Sequence, residues 1–287
     1  MKTIEIEHPP NPLWLYLGAL RSARKGAATP IEALPELRYV RPRVALDAAH
    51  IARYARICGF SHAQGVPITY PQMLTFPLLM AFFASTECPW PALGTVHLAN
   101  RIRQYRRLDA GDELRVELAT GRLIAHDKGQ VFTLEMKAWH NDEVAWEATQ
   151  TLLRIGVAHP RGPAFASELG AVTELSRQAD FRASRSIGRR YGRVSGDLNP
   201  IHLSTLSARM FGFRRAIAHG MWTKARALAA LMPRAVTGPA EVSVEFKTPL
   251  FLPVRASLWT SHRESGTLFE VRNAAGDRPH LRGRLSF

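Results

Sequence analysis

Two stretches of alternating polar and apolar residues divide the chain into halves of similar plan. In the first half the alternation predicts four strands, at 95–105, 113–124, 130–140 and 145–155. Residues that favour tight turns separate them, at 109–111, 127–129 and 141–142. In the second half the same alternation predicts strands near 241–247, 254–261, 267–272 and 280–287. Each set of four therefore predicts an antiparallel sheet.

An apolar helix is predicted before each set of strands. The segment 69–86 is apolar on most sides, so a helix there must be buried, and Pro77 predicts a kink in it. The segment 220–232 carries alanine and leucine at helical spacing. A buried helix followed by antiparallel strands is typical of an α+β fold in which the sheet covers the helix.

A shorter helix is predicted upstream in each half and indicates an internal repeat. Asp47 is the expected N-cap in the first half, and Ser184 is the matching cap in the second. An offset of 137 residues aligns these two positions and also aligns Tyr54 with Tyr191. The chain is therefore predicted to contain an internal duplication.

Proline and glycine content predicts a linker at 158–169 between a first half at 36–157 and a second half at 170–287. Residues 1–35 are predicted to be an N-terminal leader containing a helix. Its apolar stretch, 13–20, is too short to span a bilayer, and acidic residues and prolines precede it, which is unlike a signal peptide. We expect that helix to lie across the protein body. An interfacial membrane helix is the alternative.

The candidate chemistry begins at Asp197 and His202, which lie five residues apart. Pro200 restricts the backbone between them, so the segment is expected to be a turn that enters a helix. Such a turn can bring a carboxylate and an imidazole to one face. A carboxylate can orient and deprotonate water, and a histidine can exchange a proton near neutral pH. The two residues therefore form a candidate acid/base pair.

A second candidate group is the backbone amide of Gly220, at the predicted start of the helix 220–232. The first amides of a helix lack acceptors within the helix and carry partial positive charge, which suits a developing oxyanion. Glycine also permits a close approach of substrate. The sequence thus predicts water activation at one point and carbonyl polarisation at another.

Ser195 and Asn199 are polar neighbours expected to position the pair or the water. Hydrogen bonding to the local backbone is the alternative for both, and helix capping is the alternative for Asp197. His219 is expected to be structural, at the entry of the helix 220–232. It would complete a set of three metal donors, but the spacing matches no common zinc pattern, so no metal is expected. No nucleophile elbow surrounds Ser195.

At these residues the chain resembles the MaoC-like dehydratases, or R-specific enoyl-CoA hydratases. Their signature is approximately Y-x-x-x-S-G-D-x-N-P-x-H, followed by a G-F pair and I-A-H-G-M. It is matched here by Tyr191, Ser195-Gly196-Asp197, Asn199-Pro200, His202, Gly212-Phe213 and 217–221. In the first half, Phe60, His62 and Gly65 occupy the positions of Asp197, Asn199 and His202. That half therefore has no acid/base pair.

The resemblance implies a double hotdog fold, with two antiparallel sheets each wrapping a central helix and the second half carrying the hydratase motif. It implies reversible hydration of a trans-2-enoyl-CoA to a 3-hydroxyacyl-CoA, and the R configuration is implied by resemblance alone. Asp197 and His202 would be catalytic, and Gly220, Ser195 and Asn199 would bind substrate or oxyanion. No cofactor is expected beyond coenzyme A or a carrier protein as the thioester carrier.

The formal net charge of +14 predicts attraction to anions. No helix-turn-helix, RNA-binding aromatic motif or zinc module accompanies it, so no specific nucleic-acid partner is expected. The phosphates of coenzyme A or the acidic face of an acyl carrier protein suit the charge equally well. Only Cys58 and Cys88 are present, which favours a reducing cytoplasm and buried thiols.

Three other functions remain open at this point. One is a 3-hydroxyacyl-ACP dehydratase, which differs in carrier and direction. Another is thioester hydrolysis, since a fold alone does not define chemistry. The third is a non-catalytic acyl-thioester-binding protein, although such a protein has little physical need for Asp197 together with His202. A monomer and a homodimer are both compatible with a doubled chain.

Overall fold

A computed structural model of the chain describes residues 1–7, 26, 28–233 and 238–287. The expected N-terminal helix at 13–20 and its basic continuation lie outside these residues. Among the helices that are described, none has the length and apolar character needed to cross a membrane.

The strands follow the predicted pattern closely. They are Lys2–Glu5 (β1), Leu37–Ala45 (β2), Thr95–Gln104 (β3), Glu113–His126 (β4), Gly129–His140 (β5), Glu143–Ile155 (β6), Ser176–Ala183 (β7), Ala240–Phe246 (β8), Val254–Arg263 (β9), Gly266–Asn273 (β10) and Pro279–Ser286 (β11). The eight strands expected from alternation are β3 to β6 and β8 to β11, each within two residues of its predicted start. Asn141 and Asp142 both have positive φ, 49° and 61°, as a tight hairpin turn requires.

The helices are shorter and more divided than the strands. They are Ala48–Cys58 (α1), Pro71–Leu74 (α2), Phe76–Ala84 (α3), Ile187–Ser195 (α4), Pro200–Leu203 (α5), Thr205–Arg209 (α6) and Gly220–Leu231 (α7), with a 3-10 turn at His62–Gln64. The single helix expected at 69–86 is two helices separated at Thr75. Pro77 lies in the first turn of α3, where its missing N–H costs no hydrogen bond.

The first compact unit comprises Met1–Leu46, Pro71–Ile102 and Asp112–Ser167. Its strands are ordered β1-β2-β4-β5-β6-β3. Strand β1 pairs with β2 in parallel, and the pairs β2–β4, β4–β5 and β5–β6 are antiparallel. Helix α3 packs on β2 and β4 and buries Leu78 and Phe82 completely. The predicted arrangement of a sheet over an apolar helix is therefore present in this unit.

The second compact unit comprises Asp47–Tyr70, Arg103–Gly111 and Glu168–Phe287. Its strands are ordered β8-β11-β10-β9-β7, and all of these pairs are antiparallel. Helix α7 packs against β11 and buries Trp222 and Leu228. Helix α1 also belongs to this unit, where it contacts α4 and α7. The linker expected at 158–169 from its proline and glycine content, with the halves at 36–157 and 170–287, stays a prediction.

The two expected helix caps differ in outcome. Asp47 caps α1 as predicted, and its side chain accepts a hydrogen bond from the amide of His50. Ser184 does not cap α4. That helix begins at Ile187 with Ser186 at the N-cap position, because the Ser184 carbonyl first closes a turn by accepting from the Ile187 amide at 3.1 Å. The prediction for Ser184 is therefore wrong.

Candidate active site

Helix α4 supports the candidate catalytic loop through a face of glycines. A Cβ atom on Gly188 would lie 1.9 Å from the carbonyl oxygen of His202, and one on Gly192 would lie 2.7 Å from that of Asp197. Only glycine therefore lets residues 197–202 lie this close to the helix. Sequence reasoning missed this role, although the four-residue spacing of the two glycines was a visible signal.

Successive side-chain hydrogen bonds shape the loop after α4. Ser195 Oγ accepts from the amide of Asp197 at 3.2 Å, and Asp197 Oδ1 accepts from the amide of Asn199 at 3.1 Å. Asn199 Oδ1 then accepts from the amide of Ile201 at 3.3 Å and caps α5. Ser195 and Asn199 thus make the local backbone bonds named as their alternative role. The capping alternative for Asp197 is wrong, since Asn199 holds the cap position.

His202 lies on α5 and is 7% exposed. Its Nδ1 lies 2.8 Å from the carbonyl oxygen of Ile217. Because a carbonyl only accepts, Nδ1 carries the proton and Nε2 presents its lone pair. Burial lowers the pKa of His202, and the nearby Asp197 and Ile217 oppose that shift. His202 is therefore a neutral imidazole at pH 7 with a free acceptor nitrogen.

His219 immediately precedes α7 and is 3% exposed. Its Nε2 lies 3.0 Å from the backbone carbonyl oxygen of Asp197 and 3.7 Å from Asp197 Oδ2. Its ring stacks on His202 with centroids 3.7 Å apart. Burial, followed by the proximity of His202, lowers the pKa of His219 to about 3. The geometry agrees with the structural role expected for this residue, since it ties the start of α7 to the Asp197 loop.

The three side chains converge. Asp197, His202 and His219 each offer an atom to a group whose members lie within 4.8 Å of one another. The Asp197 side chain is 31% exposed, so the cluster is buried on the histidine side and open on the carboxylate side. Two imidazoles and a carboxylate can also hold a divalent metal ion. The expectation of a site without metal stays a prediction.

Gly220 is the first residue of α7, as predicted. A Cβ atom here would lie 2.8 Å from a ring carbon of Phe246 on β8, closer than normal van der Waals contact. The glycine therefore lets the helix N-terminus pack against the sheet. The Gly220 amide lies at the positive end of a twelve-residue helix, where it can stabilise negative charge.

A layer of tyrosines packs behind the histidines. The ring of Tyr191 lies 4.9 Å from that of His219 and 6.0 Å from that of Tyr54. The Tyr54 hydroxyl donates to Thr69 Oγ1 at 2.7 Å. Burial raises the pKa of both tyrosines well above 10, so both remain neutral phenols. The repeat aligned Tyr54 with Tyr191, but the contact between them was not predicted.

The chain is similar in sequence to known proteins over the part that carries this site. The family model described as "MaoC like domain" matches residues 170–281. The 3-hydroxyacyl-thioester dehydratase X of Mycobacterium tuberculosis is 33% identical over 253 residues, covering 86% of this chain and 88% of the relative.

Solved structures support the fold. The crystal structure of HtdX from Mycobacterium tuberculosis aligns with a TM-score of 0.74 at 32% identity, covering 86% of this chain and 98% of that chain. A conserved hypothetical protein of the same organism, described as having a double hotdog fold, aligns with a TM-score of 0.52 at 13% identity. It covers 85% of this chain and 92% of its own and shows the fold alone. The predicted double hotdog fold is confirmed.

Proposed function

The chain belongs to the MaoC-like dehydratase family and is a hydro-lyase, and from this premise we propose that it catalyses reversible hydration of a trans-2-enoyl-CoA to a (3R)-3-hydroxyacyl-CoA. The relative from Mycobacterium tuberculosis is by name a 3-hydroxyacyl-thioester dehydratase, which supports an acyl thioester as substrate. The observation that carries the proposal is the convergence of the Asp197 carboxylate with the neutral imidazole of His202. The R configuration rests on family resemblance.

Water activation follows from the protonation state of His202. Its Nδ1–H is committed to the Ile217 carbonyl, so Nε2 can accept a hydrogen bond from water. The Asp197 carboxylate accepts the second hydrogen of the same water. In hydration, the water oxygen forms a bond to C3, one of its protons passes to the pair, and a proton is delivered to C2. The reverse sequence eliminates water from the 3-hydroxyacyl thioester.

The thioester carbonyl requires a separate group, because negative charge builds on its oxygen as C3 is attacked. The Gly220 amide is the proposed donor. One such donor is typically worth about 3 kcal/mol of transition-state stabilisation. Ser195 and Asn199 contribute by holding the loop that carries Asp197 and His202. The mechanism uses no redox cofactor, since water supplies both the hydroxyl group and the proton.

The test is an assay of hydration of short and medium trans-2-enoyl-CoAs, in which the rate is measured from the loss of the conjugated enoyl-thioester absorbance. Asp197→Asn and His202→Ala are each expected to lower kcat by about 10²-fold to 10⁴-fold, the range for loss of a general acid/base group. His62→Ala is the control, because His62 lies in the first half of the repeat, at the position aligned with Asn199. Product chirality tests the R assignment. Wild-type rates retained in both site variants would refute the assigned pair, and loss of activity on chelation would indicate a metal.

We also propose a cytoplasmic location. Cys58 and Cys88 are both buried, as their predicted packing role requires. Burial raises the pKa of Cys58 to about 12, so this thiol is poorly reactive. A chain with only two cysteines, both buried, suits a reducing compartment.

A further inference from the structure

Three large apolar side chains are exposed within six residues, directly after the candidate catalytic loop. Leu206 is 76% exposed, Met210 is 78% exposed and Phe211 is 37% exposed. We call these three residues the Leu206 patch. In the described part of the chain, the other exposed large apolar residues are Met1, Val96, Ile155 and Phe287. Those four are far apart in sequence, whereas clustered exposure of this kind marks an interaction surface.

The exposure of the patch follows from how α6 is anchored. Ser204 caps the helix by accepting from the Ser207 amide at 3.0 Å, and Ser207 Oγ donates to the Pro200 carbonyl at 2.7 Å. Ala208 is fully buried, so the helix packs through that side. Leu206 and Met210 are four residues apart and therefore share the other side. The patch is held outward by a fixed turn.

The stretch of sequence that carries the patch is strongly basic. From residue 181 to residue 240 the chain has one acidic residue, Asp197, and eleven basic ones. Lys224 is fully buried and Arg226 partly buried, and Arg234 lies outside the described residues. The exposed basic residues are the eight arginines Arg182, Arg185, Arg189, Arg190, Arg193, Arg209, Arg214 and Arg215. Arg189 donates to the carbonyl of Leu203, and the guanidinium of Arg214 lies 4.4 Å from the ring centroid of Phe251. These contacts fix two arginine side chains, one before α6 and one after it in the sequence.

We infer that the Leu206 patch is the docking surface for an acidic acyl carrier protein that delivers the thioester. The inference rests on the proposed function and adds a carrier protein to coenzyme A as a carrier of the acyl group. Such a partner offers acidic side chains to the arginines and an apolar area to the three exposed side chains. Coenzyme A offers phosphates but no matching apolar surface. A second copy of this chain would bring like charges together, which is unfavourable.

The location of the patch supports this partner. Leu206 is four residues from His202, so their Cα atoms are at most about 14 Å apart. A carrier protein docked here can therefore pass its flexible prosthetic arm to the site. An anionic lipid surface would match the charge and the apolar side chains, but it does not itself present an acyl thioester to Asp197 and His202. The closeness of the Leu206 patch to His202 therefore favours a carrier protein over a lipid surface.

The first experiment measures binding of a holo acyl carrier protein to the full chain by calorimetry. Wild type is expected to bind with an affinity that falls as salt rises. Leu206→Asp/Met210→Asp and Arg209→Glu are each expected to weaken binding by about tenfold or more. The matched controls are Ile155→Asp and Arg122→Glu, exposed residues on strands β6 and β4. They are expected to bind like wild type.

The second experiment compares the same acyl group on the carrier protein and on coenzyme A. The ratio of kcat/KM for the two substrates is expected to fall by about tenfold in the patch variants through a rise in KM for the carrier-protein substrate. The control variants are expected to keep the wild-type ratio.

The outcomes separate this inference from the proposed function. Turnover of acyl-CoA with no binding of carrier protein, or with binding that the patch variants retain, overturns the docking surface and leaves the function intact. Carrier-protein binding lost in the patch variants supports the surface even if neither thioester is turned over, and that absence of turnover refutes the function. If the patch variants keep carrier binding but lose binding to phosphatidylglycerol vesicles, the docking surface is overturned in favour of a membrane surface. If they keep carrier binding but no longer form dimers in sedimentation, it is overturned in favour of a second copy of the chain.

Discussion

Two imidazole protons determine the chemistry available at this site. His202 donates from Nδ1 to the Ile217 carbonyl, and His219 donates from Nε2 to the Asp197 carbonyl. Because backbone carbonyls are acceptors only, each contact selects one tautomer. The opposite nitrogen of His219 is buried and has no hydrogen-bond partner among the described residues. Only His202 therefore combines a neutral ring with a lone pair proposed to accept from water.

The low pKa of His219 makes the folded state sensitive to acid. The unfolded chain binds a proton at this residue below about pH 6.5, whereas the folded chain stays neutral down to about pH 3. Since the unfolded state binds more protons in that window, the free energy of unfolding falls as the pH falls. His219 alone is expected to lower the free energy of unfolding by about 2 kcal/mol near pH 5 relative to neutral pH.

Urea unfolding near neutral pH and near pH 5 tests this expectation. His219→Gln keeps a donor in the place of Nε2 but does not titrate. Between neutral pH and pH 5, its free energy of unfolding should therefore fall by about 2 kcal/mol less than that of wild type. His62→Gln, at an exposed histidine, is the control and should follow wild type. An acid sensitivity of His219→Gln equal to that of wild type would contradict the assignment.

At the scale of elements, the site is the meeting point of α4, α5 and α7. Helix α4 ends at Ser195, and its C-cap Gly196 has φ of 79°, a left-handed conformation that reverses the chain into the catalytic loop. Helix α5 is tied to the segment before α7 by the Ile217 amide, which donates to the Ile201 carbonyl at 3.1 Å. A small displacement of α4 is therefore expected to move both members of the acid/base pair.

Gly188→Ala tests that dependence. The added Cβ would lie 1.9 Å from the His202 carbonyl oxygen, so backbone must move. We expect the free energy of unfolding to fall by about 1–3 kcal/mol, as in other overpacked sites, with a lower kcat. Gly170→Ala is the matched control, because a Cβ there meets nothing within 4 Å. Equal behaviour of the two variants in urea unfolding and hydration assays would show that the α4 contact does not position His202.

At the scale of the whole molecule, we expect the net charge to attract the proposed thioester substrate. The net charge is +14, and in the sequence that carries the site Asp197 is the one acidic residue in a run of sixty. An anionic thioester is therefore expected to be attracted from solution, and that attraction is screened by salt over about 10 Å at 0.1 M.

Ionic strength tests this attraction directly. For an enoyl-CoA, kcat/KM is expected to fall severalfold between about 0.05 M and 0.5 M salt, because screening slows association. The same enoyl group on uncharged N-acetylcysteamine is the control substrate and should show little change. A parallel decline for both thioesters would point to an effect of salt on the protein rather than on substrate attraction.

The sequence alone determined eight of the eleven described strands and the places of the two central helices, although the first of these is divided at Thr75, and it predicted Asp197 and His202 as an acid/base pair. These features depend on alternation, turn residues and short spacing, which are local properties of the chain. Only the tertiary structure decided that Tyr54 packs on Tyr191, that α1 joins the second unit, and that Gly188 supports His202. It also decided which nitrogen of each histidine carries the proton. Such contacts join residues distant in the sequence, so they depend on how the elements pack and leave no periodic signal in either segment.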